Sequence, residues 1–281
     1  MDLLEIINQP TKEEFKRLYH GRGEKTYPFL TIDSINKTLF IQFFKEVDEK
    51  KFTDIFKQAP QKYKNIIIKR RYSNETFAIR GKIPENETAI ENKIKFKLNF
   101  YNQNIGYFGD TKNARSYVEK ISKDKKVLNL FAYTCGFSLF AKRGEAKLIA
   151  NVDMNKGVLK TGQQNHHINN LSTKGVKFWP YNILKAFSKL KKEAPYDIII
   201  IDPPTFQKGS FVASKDYIKI IKKLHTISHD KTILVACVNS PDISKEDLQN
   251  LIEKNSAFKY QNSITPPKEF TNSTLKTLIF N

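Results

Sequence analysis

The segment Asp197–Phe211, DIIIIDPPTFQKGSF, concentrates the residues best suited to chemistry. Its four isoleucines read as a buried strand that delivers Asp202 to an end. Pro203 and Pro204 fix φ and leave carbonyls without local amide donors, so Asp202 and those carbonyls can accept hydrogen bonds from a ligand. Phe206 offers a stacking face for an extruded base. Lys208 and Gly209 then make a basic loop above the same edge. A purely structural turn could hold two prolines. Aspartate, two prolines and an aromatic directly after an all-isoleucine strand point instead to a binding edge.

A second cluster lies upstream. The run Val127–Ser138, VLNLFAYTCGFS, reads as a strand, a tight turn of small residues and a helix start. Such a turn lets a nucleotide cofactor approach the backbone, and the first helical N–H groups face its polar atoms. Gly136 is the only glycine in the run, so the dinucleotide fingerprint with its three glycines is missing and a pyrophosphate is disfavoured. The next strand ends at Asp153, where a carboxylate can accept both hydroxyls of a ribose or can cap the helix that follows. Met154 can lie flat against an adenine or fill the core. Asn182 can read an adenine edge or act as an N-cap.

Other reactive types carry competing readings. Cys237 ends an apolar strand and is either a thiol nucleophile or a small core residue. Cys135 sits in the cofactor turn, where ordinary packing competes with a redox role. His166 and His167 are adjacent rather than a helical turn apart, so no shared metal is expected. Lys69, Arg70, Arg71 and Tyr72 place cations and an aromatic on one strand, suited to phosphate contact or to guarding a sheet edge. His20, Arg22 and Lys25 form a second basic loop.

The composition agrees with a polyanionic partner. Lys and Arg number 48 against 29 Asp and Glu, a net charge of +19, and both the first hundred residues and the remainder are positive. Nucleic acid is favoured over membrane, although the lysine excess can also arise from compositional drift. With 40% hydrophobic residues over 281 positions the chain can bury a sizeable core, which excludes disorder as its main state. Two cysteines exclude a disulfide-stapled module. No apolar run approaches the roughly 20 residues of a bilayer span, and the acidic opening MDLLEIINQPTKEEF shows no secretion signal. A cytoplasmic protein is expected.

These residues need elements to hold them. Residues 1–100 read as a small α+β unit: a helix over Thr11–Tyr19 with Thr11 and Glu14 as a capping box, a hairpin of Phe29–Ile35 and Leu39–Phe44 turning at Asn36-Lys37, a helix near Lys50–Gln58, and strands at Ile66–Tyr72 and Ile94–Phe100. Residues 101–281 alternate strand and helix. Short apolar runs at Val127–Phe131, Leu148–Val152, Val176–Trp179, Ile198–Ile201 and Ile233–Val238 alternate with helices at Asn155–His167, Asn182–Lys192 and Lys215–His225. This predicts an α/β fold with a mostly parallel, Rossmann-like sheet covered on both faces. Phe258–Tyr260 and Leu275–Phe280 are expected to add an antiparallel hairpin at one edge.

The motifs NQNIGYFGDTKNAR (Asn102–Arg115), VLNLFAYTCGF, NVDMNKG (Asn151–Gly157), QNHHINN (Gln164–Asn170), DPPTFQKGSF, ILVACVNSP (Ile233–Pro241) and PPKEFTNSTLKTLIF together resemble class I S-adenosylmethionine-dependent methyltransferases. Within them the chain is most similar to bacterial 23S rRNA large-subunit base methyltransferases. The resemblance covers roughly residues 101–281. HGRG (His20–Gly23) and IIIKRRY (Ile66–Tyr72) resemble one small branch of that group.

The resemblance implies S-adenosylmethionine as cofactor. Asn129, Phe131, Tyr133 and Gly136 would cradle its methionine part, Asp153 its ribose, and Asp110 and Arg115 would line it. Where the group often has Asp, this chain has Asn182. Asp202, Pro203 and Phe206 would form the catalytic edge. Arg22, Lys69, Arg70, Arg71 and Lys208 are the expected RNA contacts, the RNA being rRNA or a ribosomal precursor particle.

The DPPTF segment is closer to the guanine-modifying relatives, which favours a guanine nitrogen. A cytosine C5 target would need a thiolate. Cys237 is the candidate, but the nucleophile of the cytosine-modifying relatives aligns with Asn239. Two further readings are an RNA-binding protein with a vestigial cofactor site and a nicotinamide-dependent oxidoreductase. The second is disfavoured by the missing glycines.

Overall fold

The computed structural model describes residues 2–11, 15–204, 206–207, 211–270 and 272–281, with backbone alone at 206–207 and 211–215. Two compact units emerge. One comprises residues 1–110 and 267–273, and the other residues 111–266 and 274–281. The division drawn from the sequence at residue 100 thus stands beside one at residue 110, with a short C-terminal segment assigned to the first unit.

The first unit holds α1 (Leu3–Asn8), β1 (Phe15–His20), β2 (Leu30–Ile35), β3 (Thr38–Phe43), α2 (Glu49–Phe56), β4 (Asn65–Arg70), β5 (Glu75–Arg80), β6 (Thr88–Glu91) and β7 (Ile94–Lys97). Strands β1 to β5 form one sheet in chain order. Only β3 and β4 run parallel, joined by the crossover through α2; β6 and β7 form a separate hairpin. The expected β2–β3 hairpin is present, with Asn36 at φ 50° in its turn.

The expected helix over Thr11–Tyr19 is corrected. Phe15–His20 is a strand, and the helix before it, α1, is capped by Asp2, whose side chain accepts the Leu4 N–H. Residues 12–14 lie outside the described set. The spacing of Phe15, Leu18 and Tyr19 imitates a helix. A register shift between Arg17 and Tyr19 buries both Leu18 and Tyr19 against β2, and such a bulge breaks the period-two rule.

Several cations of this unit are spent internally. Arg17 pairs with buried Asp33 through both carboxylate oxygens and donates to His20 Nδ1 at 2.6 Å. Burial pushes the Asp33 carboxyl up, and the Arg17 charge opposes it. Lys69 is also corrected as a phosphate contact. Its side chain is fully buried, and Nζ donates to Thr76 Oγ1 and to the carbonyls of Phe100 and Tyr101. A buried ammonium needs such acceptors. Arg70 is held by the carboxylates of Glu49 and Glu75.

The second unit contains α3 (Lys112–Ile121), β8 (Lys126–Leu130), α4 (Gly136–Arg143), β9 (Leu148–Val152), α5 (Lys156–Ile168), β10 (Val176–Trp179), α6 (Ile183–Leu190), β11 (Ile198–Ile201), β12 (Phe206–Gln207), β13 (Phe211–Val212), α7 (Ala213–Ile221), β14 (Ile233–Asn239), α8 (Lys245–Asn255), β15 (Tyr260–Ile264) and β16 (Leu275–Phe280). Its seven-stranded sheet has the order β10-β9-β8-β11-β14-β16-β15. The first five are parallel, and β16 and β15 run antiparallel at the edge.

Alternate residues of each parallel strand enter opposite cores, which is why the strands read as continuous apolar runs. Ile199 and Ile201 join α6, α7 and α8 on one face, while Ile198 and Ile200 join α3 and α4 on the other. Among the described residues, no helix is long and apolar enough to cross a membrane.

Burial and the Arg17 and Arg22 charges push His20 down to about 4 from its ordinary 6.5. The folded chain therefore keeps this imidazole neutral. Its contribution to stability is complete above pH 6.5 and declines toward pH 4, as the unfolded chain takes up a proton that the folded chain refuses. Urea unfolding across that range should show a shallower acid-side loss in His20→Gln than in wild type. Equal slopes would contradict this assignment.

Candidate active site

Parallel registration decides which residues meet. Leu130 at the end of β8 lies beside Val152 of β9 on one side and Ile201 of β11 on the other. Phe131, Asp153 and Asp202 therefore leave the sheet side by side. The chain builds outward from β8 in both directions, so this is the topological switch point where α/β sheets bind ligands.

The loop after β8 is conformationally unusual. Phe131, Tyr133 and Cys135 have φ of 58°, 48° and 63°, each left-handed and costing about 1–2 kcal/mol for a residue with a side chain. Three of the loop's N–H groups are committed inside the protein: Ala132 to the Val152 carbonyl, Tyr133 to Asp153, and Cys135 to the Ala132 carbonyl at 2.7 Å. Phe131, Tyr133 and Gly136 are partly exposed, while Ala132, Thr134 and Cys135 point inward. Helix α4 begins at Gly136 with no side-chain cap on its first N–H groups.

Specific bonds hold this loop. Asp153 Oδ2 accepts the Tyr133 N–H at 2.9 Å, and Oδ1 accepts the Asn155 N–H at 2.9 Å. Burial raises the Asp153 carboxyl above its ordinary range, and those two N–H groups act in the opposite sense. The Val152 carbonyl accepts the Ala132 N–H at 3.1 Å. Buried Asn165 donates from Nδ2 to the Thr134 carbonyl at 3.1 Å.

Below the loop runs a buried polar ladder. Asn129 Nδ2 donates to Asn151 Oδ1 at 2.9 Å, Asn151 Nδ2 to Ser138 Oγ at 3.0 Å, and the Ser138 hydroxyl meets His166 Nε2 at 3.1 Å. His166 Nδ1 lies 2.9 Å from the Gly162 carbonyl. That carbonyl can only accept, so Nδ1 carries the hydrogen and Nε2 accepts. Burial lowers the His166 pKa, consistent with a neutral ring. The ladder ties β8, β9, α4 and α5 together directly beneath the strained turn.

The expected site residues divide accordingly. Phe131, Tyr133, Gly136, Asp153 and Asp202 gather at the strand ends. Met154 is 45% exposed beside Asp153, so it is not core filling. Asn129 is 1% exposed and donates from Nδ2 into the ladder, while its Oδ1 is buried with no hydrogen-bond partner among the described residues. Asn182 N-caps α6, its Oδ1 accepting the Leu184 N–H at 3.0 Å. Arg115, on α3, is 3% exposed, with Nη1 donating to Thr111 Oγ1 and the guanidinium 5.9 Å from the Phe140 ring. Asp110 is counted with the first unit.

On the expected catalytic edge, Pro203 is buried and Pro204 exposed. The side chain of Phe206 and all of Lys208 lie outside the described residues. Cys237 is fully buried, its Sγ 3.5 Å from Thr277 Oγ1, and Cys135 is likewise buried. Among the described residues, no three potential metal ligands cluster.

Sequence reasoning missed Asn151, Ser138, Asn165 and Tyr217. Tyr217 is buried, donates to the Cys237 carbonyl at 3.3 Å, and has its phenol pushed up by burial, with Cys237 and Asp202 adding to the rise. It thus lies within the electrostatic reach of Asp202. The available signal was polar: VLNLF and LIANV each carry an asparagine inside an apolar strand, and such residues require partners.

The family model for S-adenosylmethionine-dependent methyltransferases matches residues 16–281, and the chain belongs to that family. It is 34% identical over 194 residues to "Ribosomal RNA large subunit methyltransferase K/L" of Pseudoalteromonas translucida, covering 63% of this chain and 27% of that protein. It is 31% identical over 274 residues to "Putative ribosomal RNA large subunit methyltransferase YwbD" of Bacillus subtilis, covering 91% of this chain and 68% of the relative. The fold matches the crystal structure of "SMU.776, a putative methyltransferase complexed with SAH", with a TM-score of 0.86 at 24% identity over 95% of this chain and 75% of that one.

The family's methyl donor is S-adenosylmethionine, and the strand ends fit it chemically. Each Asp153 oxygen retains acceptor capacity beyond its one backbone N–H, suiting a ribose diol, and the exposed Met154 thioether suits an adenine face.

Removing the Asn165 clamp tests how the turn is held. Asn165→Ala is expected to lose about 1–3 kcal/mol by leaving the Thr134 carbonyl unpaired. Hydrogen exchange at residues 131–135 should accelerate relative to β14. Unchanged protection would show that the turn does not depend on this bond.

Proposed function

We propose that the protein transfers a methyl group from S-adenosylmethionine to a base in RNA, with a guanine nitrogen as the preferred target. The observation that carries this reading is the adjacency of Asp153, the left-handed turn at 131–135 and Asp202 at neighbouring strand ends. S-adenosylmethionine, when bound, supplies a methyl group on a sulfonium, ready for in-line displacement by a nitrogen lone pair. The chain's own contribution is then mainly positioning.

In this reading Asp153 accepts the ribose hydroxyls, Met154 packs on the adenine, and the turn at Phe131, Tyr133 and Gly136 receives the amino-acid end. Asn182 can still donate from Nδ2 while its Oδ1 caps α6. Asp202 and the Pro203 carbonyl face the base. A guanine N7 has a lone pair and needs no base. An exocyclic amine gives up a proton as the new bond forms, and the Asp202 carboxylate accepts it. Phe206 stacks on the base that has left its helix.

A cytosine C5 target requires a thiolate to add to the ring first. Burial of Cys237 against Thr277 and in the apolar core of α3 and α4 argues against that route.

RNA as substrate is supported by the rRNA methyltransferase names of the relatives and by the charge of +19. The first unit is read as the part that engages RNA outside the reacting base, and the setting as cytoplasmic. Whether rRNA is taken free or within a precursor particle is a choice that the same experiment can make.

Methyl transfer from labelled S-adenosylmethionine should be measured on rRNA and on ribosomal particles from a strain lacking the protein, followed by nucleoside analysis. Label in a methylated guanosine is expected, with Cys237→Ser retaining wild-type activity to within about twofold. Label in 5-methylcytidine, lost in Cys237→Ser, would contradict the guanine assignment. Absence of label in any RNA would contradict the RNA reading.

A further inference from the structure

The basic motifs of the first unit, HGRG and KRRY, are not used by the methyl-transfer edge. Their geometry explains the two glycines. At Gly21 a Cβ would stand 2.0 Å from the Tyr27 carbonyl oxygen and 2.4 Å from that of Leu30, so no side chain fits. Gly23 has φ of 83°. The Glu24 N–H donates to the Gly21 carbonyl at 2.9 Å, closing a turn with Arg22 and Gly23 at its centre. Positive φ at the second central position is the requirement of a type II turn. The motif therefore places Arg22 at the first central position of a hydrogen-bonded turn.

Arg22 is exposed. Its guanidinium has no ion pair or hydrogen bond among the described residues, and its Cζ lies 4.9 Å from the centroid of the Phe44 ring. Arg71 reaches the same ring at 5.4 Å. Arg71 also donates to Gln42 Oε1 and Asn104 Oδ1, each at 3.3 Å, and to the Gln103 carbonyl. With Lys69 on the carbonyls of Phe100 and Tyr101, the cations at the end of β4 fix the loop at 100–104. That loop carries Tyr101, which is 60% exposed.

Two permanently charged guanidiniums on one ring repel each other, and an anion relieves that repulsion. The Phe44 face restrains the Arg22 guanidinium while leaving its N–H donors for a bidentate acceptor such as a phosphate, at small entropic cost. Exposed Lys25 and Lys45 add positive charge along the chain nearby. A carboxylate-rich peptide would use Arg22 but would have no use for the open face of Tyr101. Alternating phosphate and ring sites are the signature of unpaired nucleic acid, because a duplex hides its base faces.

We propose that Arg22, Phe44, Arg71 and Tyr101 form a landing site for an unpaired segment of the RNA substrate, with a backbone phosphate on Arg22 and a base against Tyr101; this rests on the RNA reading above. The site shares no residue with those proposed to hold the methyl donor. Its role is to retain an unpaired stretch of the substrate strand.

The test uses the full chain, a short fluorescent single-stranded RNA and a duplex of the same length, titrated by anisotropy at several salt concentrations. Arg22→Ala should weaken single-strand binding about tenfold and lower the salt slope by about one. Arg22→Lys should keep the slope but recover only part of the affinity. Tyr101→Ala should weaken binding with the slope unchanged. S-adenosylmethionine affinity and the far-UV circular dichroism spectrum should stay at wild-type values in all three, showing that both units are folded. Unchanged RNA affinity in both alanine variants would overturn the site and leave the RNA reading standing. A wild-type chain that binds no RNA would overturn both. Equal affinity for the duplex would overturn the assignment to an unpaired strand.

Discussion

The carboxylate of Asp153 sets the constraint on which the turn at residues 131–135 depends. Three left-handed residues in five would not persist in an isolated peptide, because each costs on the order of 1–2 kcal/mol. They persist here because the Asp153 carboxylate grips the Tyr133 N–H from the neighbouring strand end and Asn165 grips the Thr134 carbonyl from α5. Both grips require β8 and β9 to be in register, and the Asn129–Asn151 pair lies within that register. The apolar parallel sheet, the buried ladder and the strained turn thus form one mechanical chain that ends at a half-buried carboxylate.

The first unit shows why net charge is a poor guide to binding residues. Lys69, Arg17 and Arg70 look alike in the sequence, yet each is committed internally: to loop carbonyls, to buried Asp33 and to Glu49 with Glu75. Desolvating a cation is tolerable only with such partners. Arg22 differs because two glycines hold it outward. The +19 charge is therefore divided between cations that build the fold and a smaller set turned to solvent.

The parallel sheet was legible because its strands are short, apolar and β-branched. Leu148–Val152, Val176–Trp179 and Ile198–Ile201 have the bounds that the sequence predicts. Asp153 and Asp202 were legible because they terminate those strands. The first unit was less so. A bulge gave Phe15, Leu18 and Tyr19 a helical spacing inside a strand. β5 mixes polar and half-buried residues, so it lacks a clean alternation.

The ladder escaped notice for a different reason. Asn129 and Asn151 are adjacent only through strand registration, while Ser138 and His166 reach them from two helices. No local pattern encodes that meeting. The motif around Asn165 and His166 was visible as a string, but its purpose, clamping the turn and ending the ladder, became readable only in three dimensions.

The most direct measurement is calorimetric titration of S-adenosylmethionine into wild type and Asp153→Asn, with hydrogen exchange at residues 131–135 read on the same samples. The asparagine keeps a carbonyl for the Tyr133 N–H but loses the charge and one acceptor site that a ribose diol needs. Affinity at least about tenfold lower is expected, with the turn still protected. Wild-type affinity in Asp153→Asn would contradict this expectation.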